Sequence, residues 1–108
     1  YVAKIDGKPA LLLDNIELKP KYQYNDKIED GIVNFAKMVT KDLGKPDMPI
    51  YAGSNRHKLN MKNFELVEKN DFNLVGTTHD DPIYLDFVTE GRNVISSTCF
   101  NETLYKLK

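Results

Sequence analysis

Hydrophobic and polar positions divide the chain into short segments of differing period, and the first is extended. The stretch YVAKIDGKPALLLDNIEL holds two apolar runs separated by Asp6-Gly7, a dipeptide suited to the positive φ of a tight hairpin. It predicts two antiparallel strands over roughly 1–5 and 10–19. In the second, Leu11 and Leu13 point one way, while Ile16 and Leu18 continue the apolar face out of phase. A one-residue slip of this kind across Asp14-Asn15 predicts a β-bulge, which bends the strand and opens its edge.

Between 26 and 43 the period lengthens. Ile28, Ile32, Phe35, Ala36, Val39 and Leu43 recur at steps of three and four, as on one helix face. Asn25 or Asp26 can cap the start, Glu29 follows Asp26 at capping-box spacing, and Gly44 and Pro46 close the helix. MPIYAG predicts a short strand. In NMKNFELVEKN, Met61, Phe64 and Val67 stand at helical spacing with Leu66 alongside, predicting a second, shorter helix. FNLVG and PIYLDFV bracket the turn-rich TTHDD and predict a strand pair. RNVISSTCF follows as a final strand or irregular segment, within a tail over 89–108. With no internal repeat or low-complexity linker, the order is β-β-α-β-α-β-β. That is an α/β domain in the α+β sense: a mixed, mostly antiparallel sheet with two packed helices.

Composition narrows the function classes. The 108 residues make one domain with a modest core, and 41% hydrophobic with 29% charged content reads as soluble and globular. Fifteen basic against sixteen acidic residues leave a net charge of -1 with no basic block, so neither nucleic acid nor an anionic membrane is the expected partner. Cys99 is the single cysteine, and His57 and His79 are the two histidines, too few for a zinc-type cluster; no metal is expected. There is no apolar run of about 18 residues and no signal-peptide pattern, so a cytoplasmic location is expected. The start at Tyr1 leads to the expectation of a piece cut from a larger parent protein. The Asn101-Glu102-Thr103 sequon reads as a chance occurrence in a chain without disulfides.

Two stretches carry a resemblance. NMKNFELVEKNDFNLVG places Asn60, Asn63, Val67, Glu68, Lys69, Asp71 and Phe72 at the spacing of an asparagine, alanine, tyrosine and Glu-Lys-x-Gly-Phe pattern. PALLLDNIELKPKYQYNDKIEDGIVNFAKMV offers a bulged strand, a turn with Pro20, Tyr22 and Gln23, and a long helix. The chain in this respect resembles the carboxy-terminal half of a GNAT superfamily N-acyltransferase, over roughly residues 1–88. Asp26 and Ile28 occupy the places of the family's loop glycine and its glycine or alanine.

The resemblance implies acetyl-CoA or another acyl-CoA as cofactor and acyl transfer to an amine-bearing small molecule or peptide. The exposed backbone of Ile16, Glu17 and Leu18 would pair with the pantetheine arm. Gln23, Tyr24, Asn25, Asp26, Lys27 and Ile28 would face the pyrophosphate, with Asn60 bonding the cofactor or capping the second helix. Glu17 is the candidate base. Val67 has no proton to give where the family carries a tyrosine, and Tyr84 or Tyr51 is the candidate replacement acid. The resemblance further implies that the strands near 10–19 and 47–52 are parallel neighbours diverging into a V-shaped cleft.

A pyrophosphate needs backbone N–H groups converging on a helix start. A carboxylate at Asp26 would take those groups and add like charge, which Lys21 and Lys27 offset only in part. The alternative is therefore a catalytically silent module of the same outline that binds a peptide or protein. Other features carry less. Arg56, His57 and Lys58 lie in a polar loop, His79-Asp80-Asp81 reads as a turn before Pro82, and Cys99 is either a small buried hydrophobe or a thiol with no histidine spaced to activate it.

Overall fold

The computed structural model describes residues 1–14, 18–53, 58–85 and 92–108, with Arg92 as backbone only. β1 (Val2–Ile5) and β2 (Lys8–Leu13) form the expected hairpin, with Ile5 opposite Lys8. Asp6 and Gly7 both take positive φ, 50° and 81°, the paired left-handed geometry whose twist suits a two-residue loop. Asp6 also ties the turn to a neighbouring strand: its N–H donates to the Asp71 carbonyl at 2.7 Å, and its carboxylate accepts from the Asp71 N–H at 2.9 Å.

The chain then passes through a 3-10 turn, Pro20–Tyr22, into α1 (Asp26–Asp42) and returns as β3 (Ile50–Gly53). β2 and β3 are parallel, with Leu11, Leu12 and Leu13 opposite Ile50, Tyr51 and Ala52. After β4 (Phe64–Leu74), β5 (Ile83–Leu85) and β6 (Arg92–Val94) form an antiparallel ribbon of their own, and β7 (Phe100–Leu107) ends the chain. A closed barrel runs β1-β2-β3-β7-β4, with β4 returning to β1. The fold is mixed α+β, its sheet antiparallel except for β2 and β3, with one α-helix among the described residues.

Strand alternation sorts the core into two sides. Leu12 and Tyr51 join Ile5, Phe72, Leu74 and Leu104, and the β5–β6 ribbon adds Leu85 and Val94. Their neighbours Leu11 and Ile50 face the other way, under Ala36 of α1, while Ala52 packs with Val33, Leu59, Met61 and Phe64. Among the described residues no helix is long and apolar enough to cross a membrane.

Three expectations are corrected. The segment expected as a second helix is strand. Met61 (φ 57°) lies in a turn whose carbonyl accepts the Phe64 N–H, and Phe64 and Val67 are already in β4. A bulge between Val67 and Asn70, with Lys69 at φ 58°, resets the alternation so that Asn70, Phe72 and Leu74 turn inward. The turn brings Met61 and Phe64, three apart, into one cluster as a helix would, and pairing with β7 and β1 satisfies backbone that a two-turn helix would leave marginal. The expected pairing of FNLVG with PIYLDFV is also replaced. Residues 72–74 finish β4, while Ile83–Leu85 pairs with β6. The tail supplies β7, which lies between β3 and β4.

The third correction concerns the helix face. Its limits match the expectation, but its buried positions are Glu29, Val33, Ala36 and Thr40. Phe35 is 60% exposed, Met38 51% and Leu43 50%. At 3.6 residues per turn, the buried face is rotated by about 80° from the apolar stripe. The expected bulge at Asp14-Asn15 falls at the edge of residues 15–17, which lie outside the described residues.

The candidate site at the strand-to-helix corner

The residues between β2 and α1 form a tight corner held by its own hydrogen bonds. Pro20 starts the 3-10 turn, where its missing N–H costs nothing. The Gln23 side chain donates to the Leu18 carbonyl at 3.1 Å, and Leu18 packs against the cluster of Val33 and Phe64. Tyr24 is left-handed at φ 58°, with its N–H donating to the Lys58 carbonyl at 2.7 Å. This is a costly conformation for a residue with a Cβ. The Asn60 side chain accounts for both groups beyond it, donating to the Tyr24 carbonyl at 3.2 Å and to Asp26 Oδ1 at 3.0 Å.

Asn25 is the cap. Its Oδ1 accepts from the N–H groups of Lys27 at 2.9 Å and Ile28 at 3.3 Å, and its carbonyl accepts from the Glu29 N–H at 3.1 Å. Asp26 is thereby excluded as the cap. Its carboxylate lies beside Asn60 and 4.0 Å from Lys62 Nζ, which sits 3.3 Å from Asp30. The Asn63 side chain, then Lys62, holds the Asp30 carboxyl below its ordinary value.

Glu29 does not take the capping-box position expected from its distance to Asp26. It is fully buried, with Oε2 accepting from the Asn63 N–H at 2.9 Å and the Asn63 side chain at 2.8 Å; Oε1 has no partner among the described residues. This link between α1 and the start of β4 has no signal in the sequence, because neither spacing nor residue type joins two polar residues across separate elements.

Gln23, Tyr24, Asn25, Asp26, Lys27, Ile28 and Asn60 are thus brought together, with Leu18 behind them. Ile16 and Glu17 lie outside the described residues, as do Arg56 and His57. Tyr84 is half exposed on β5, whose neighbours Ile83 and Leu85 pack in the Phe72 cluster rather than with the corner. Tyr51 is buried in that same cluster, and burial, reinforced by Asp6, raises its phenol pKa. Neither tyrosine belongs to the corner's cluster. Asp81 closes an exposed turn by donating its N–H to Thr78, and Cys99 is exposed rather than a core residue. A hollow of about 330 Å³ lined by Pro9, Gly44, Lys45, Pro46, Asp47 and Met48 opens at the other end of α1.

At the corner several of the donors that a pyrophosphate would need are already engaged. The N–H groups of Tyr24, Lys27, Ile28 and Glu29 already have acceptors. Asp26 and Asp30 put two carboxylates at the helix start, with Lys62 Nζ 4.0 and 3.3 Å from them and Lys27 in the same turn. Carboxylates there compete with a phosphate, which needs unpaired donors. No family model, curated protein or solved structure matches this chain.

Proposed function

We propose that the chain is a catalytically silent module with a GNAT-like outline, which binds a peptide or protein partner and does not use acyl-CoA. The observation that carries this reading is the capping of α1 by Asn25, whose Oδ1 occupies the Lys27 and Ile28 N–H groups. What α1 offers another molecule is its side. Phe35 and Met38, three residues apart on α1, are 60% and 51% exposed, and neighbouring exposed apolar side chains of this kind suit contact with a partner.

A specific observation keeps a second reading in view, acyl-CoA-dependent transfer to an amine. The parallel β2 and β3 joined through α1, entered by way of Pro20, Tyr22 and Gln23, have the connectivity that the resemblance implies. Residues 15–17, which follow β2, lie outside those described.

One titration separates the two. Acetyl-CoA is added to the protein up to millimolar concentration while thermal unfolding is followed. The binding-module reading expects an unchanged midpoint. A ligand at one hundredfold excess over its dissociation constant would stabilise the fold by about 2.7 kcal/mol. That is a shift of roughly 10 °C or more for a domain of this size. Such a shift would overturn the proposal in favour of the acyltransferase.

A further inference from the structure

We infer that the partner of the α1 face is a second copy of this chain, the two helices packing antiparallel about a two-fold axis. The inference rests on reading that face as a binding surface. In a two-fold interface each residue meets a position that it also supplies, so the patch must complement itself. α1 does so in one register, with the axis between Asn34 and Phe35. Lys27 then stands opposite the partner's Asp42, Gly31 opposite the partner's Met38, and the two Phe35 rings flank the axis.

The geometry of a regular helix supports this register. At 3.6 residues per turn, Lys27, Gly31, Phe35, Met38 and Asp42 fall within an arc of about 80°, and all five are exposed. Lys27 and Asp42 lie about 11 Å on either side of the midpoint, so opposite charges come level when one helix is reversed. The ion pairs among the described residues join Lys62 to Asp26 and Asp30 and do not involve Lys27 or Asp42. A Cβ placed on Gly31 would meet nothing within 4 Å. That open space at one end of the stripe accepts the flexible Met38 at the other.

The interface is a small one. A pair of helices of this length buries on the order of 1,000 Å² in total, at the lower limit of specific association. The expected dissociation constant is micromolar, about 1–100 μM.

Sedimentation equilibrium of the full chain from about 5 to 500 μM tests the proposal, over a range that brackets that constant. The expected result is a reversible monomer–dimer equilibrium, with Phe35→Asp monomeric throughout. Lys27→Asp and Asp42→Lys should each weaken the dimer about tenfold. The double variant, in which the charges are exchanged, should recover to within about twofold of the original. Both single changes place charge where the helix dipole favours it, acid at the start and base at the end, so loss of the dimer cannot come from a weakened helix. Far-ultraviolet circular dichroism checks that each variant is folded. A chain that stays monomeric at the highest concentration would overturn the proposal, as would a dimer indifferent to Phe35→Asp or a double variant no stronger than the singles. A monomer without response to acetyl-CoA removes the dimer and leaves a different protein on the α1 face. A coenzyme-dependent thermal shift removes the binding-module reading whatever the assembly state.

Discussion

Replacing Glu29 by alanine removes the acceptor that joins α1 to the start of β4. Glu29 is fully buried, and its Oε2 takes two bonds from Asn63 at 2.9 and 2.8 Å. Bonds to a charged acceptor contribute about 1.5–3 kcal/mol each, so the gross loss is about 3–6 kcal/mol. Against it stands the desolvation of a carboxylate, several kcal/mol that alanine does not incur. Alanine leaves two further costs. The Asn63 N–H loses its acceptor in a partly buried place, about 1–3 kcal/mol, and a void opens where the fully buried side chain stood. The Asn63 side chain keeps its second bond, to Asp30 at 3.1 Å. The net expectation is a loss of about 2–4 kcal/mol, which lowers the thermal midpoint by roughly 10–20 °C. Urea denaturation followed by circular dichroism reads it directly, with the denaturant slope unchanged. Glu29→Gln retains the acceptor but puts an amide donor where Oε1 is buried with no partner among the described residues, so it should lose about 1–2 kcal/mol, less than alanine. An alanine variant that loses less than about 1 kcal/mol, or a glutamine variant that loses as much as alanine, would refute the acceptor's role.

Two further substitutions probe the same corner. The Asp30 carboxyl is held below its usual 3.8 by the Asn63 hydrogen bond first and Lys62 second. A depressed carboxylate adds stability above its unfolded value and loses it as pH falls through the folded one. Asp30→Asn should therefore flatten the decline of the urea midpoint below about pH 4, and identical acid limbs would count against the assignment. Tyr24 holds φ 58° without being glycine. Tyr24→Val should lose about 1–2 kcal/mol because a β-branched side chain tolerates that region least, and Tyr24→Asn should gain about 0.5 kcal/mol. A valine variant as stable as the original in urea would show that the corner does not need the left-handed turn.

Local signals made much of the fold legible. Asp6-Gly7 located the first hairpin, and Asn25, Gly44 and Pro46 bounded α1, because turns and caps are fixed by residues adjacent in sequence. The failures came where distant residues decide. The helix-like spacing of Met61, Phe64 and Val67 runs through a turn into a bulged strand, and the bulge is held by Asn70, whose side chain donates to the Val67 and Glu102 carbonyls. β7 lies between β3 and β4, a position set by long-range pairing that no local pattern encodes. The rotation of α1 has the same origin. Periodicity identified a helix and an apolar stripe, but the residue drawn inward is Glu29, held by Asn63 at 34 positions' remove. The stripe was legible; which part of it faces solvent was not.

At the corner, the sequence left Asn25 and Asp26 as rival caps, and the choice between them decides what the helix start can do. With Asn25 as the cap, a neutral oxygen serves the first N–H groups and Asp26 is released toward Asn60 and Lys62. Asp26 and Asp30 are one turn apart and share Lys62, so two carboxylates stand at the positive end of the helix dipole. That arrangement stabilises the helix by the same dipole interaction a bound phosphate would use. The residues that resemble an approach to a phosphate, Pro20, Tyr22 and Gln23, here shape a turn that delivers Asn25 to its capping position. The proposed partner surface is then the side of α1, where Phe35 and Met38 stand in solvent between Lys27 and Asp42.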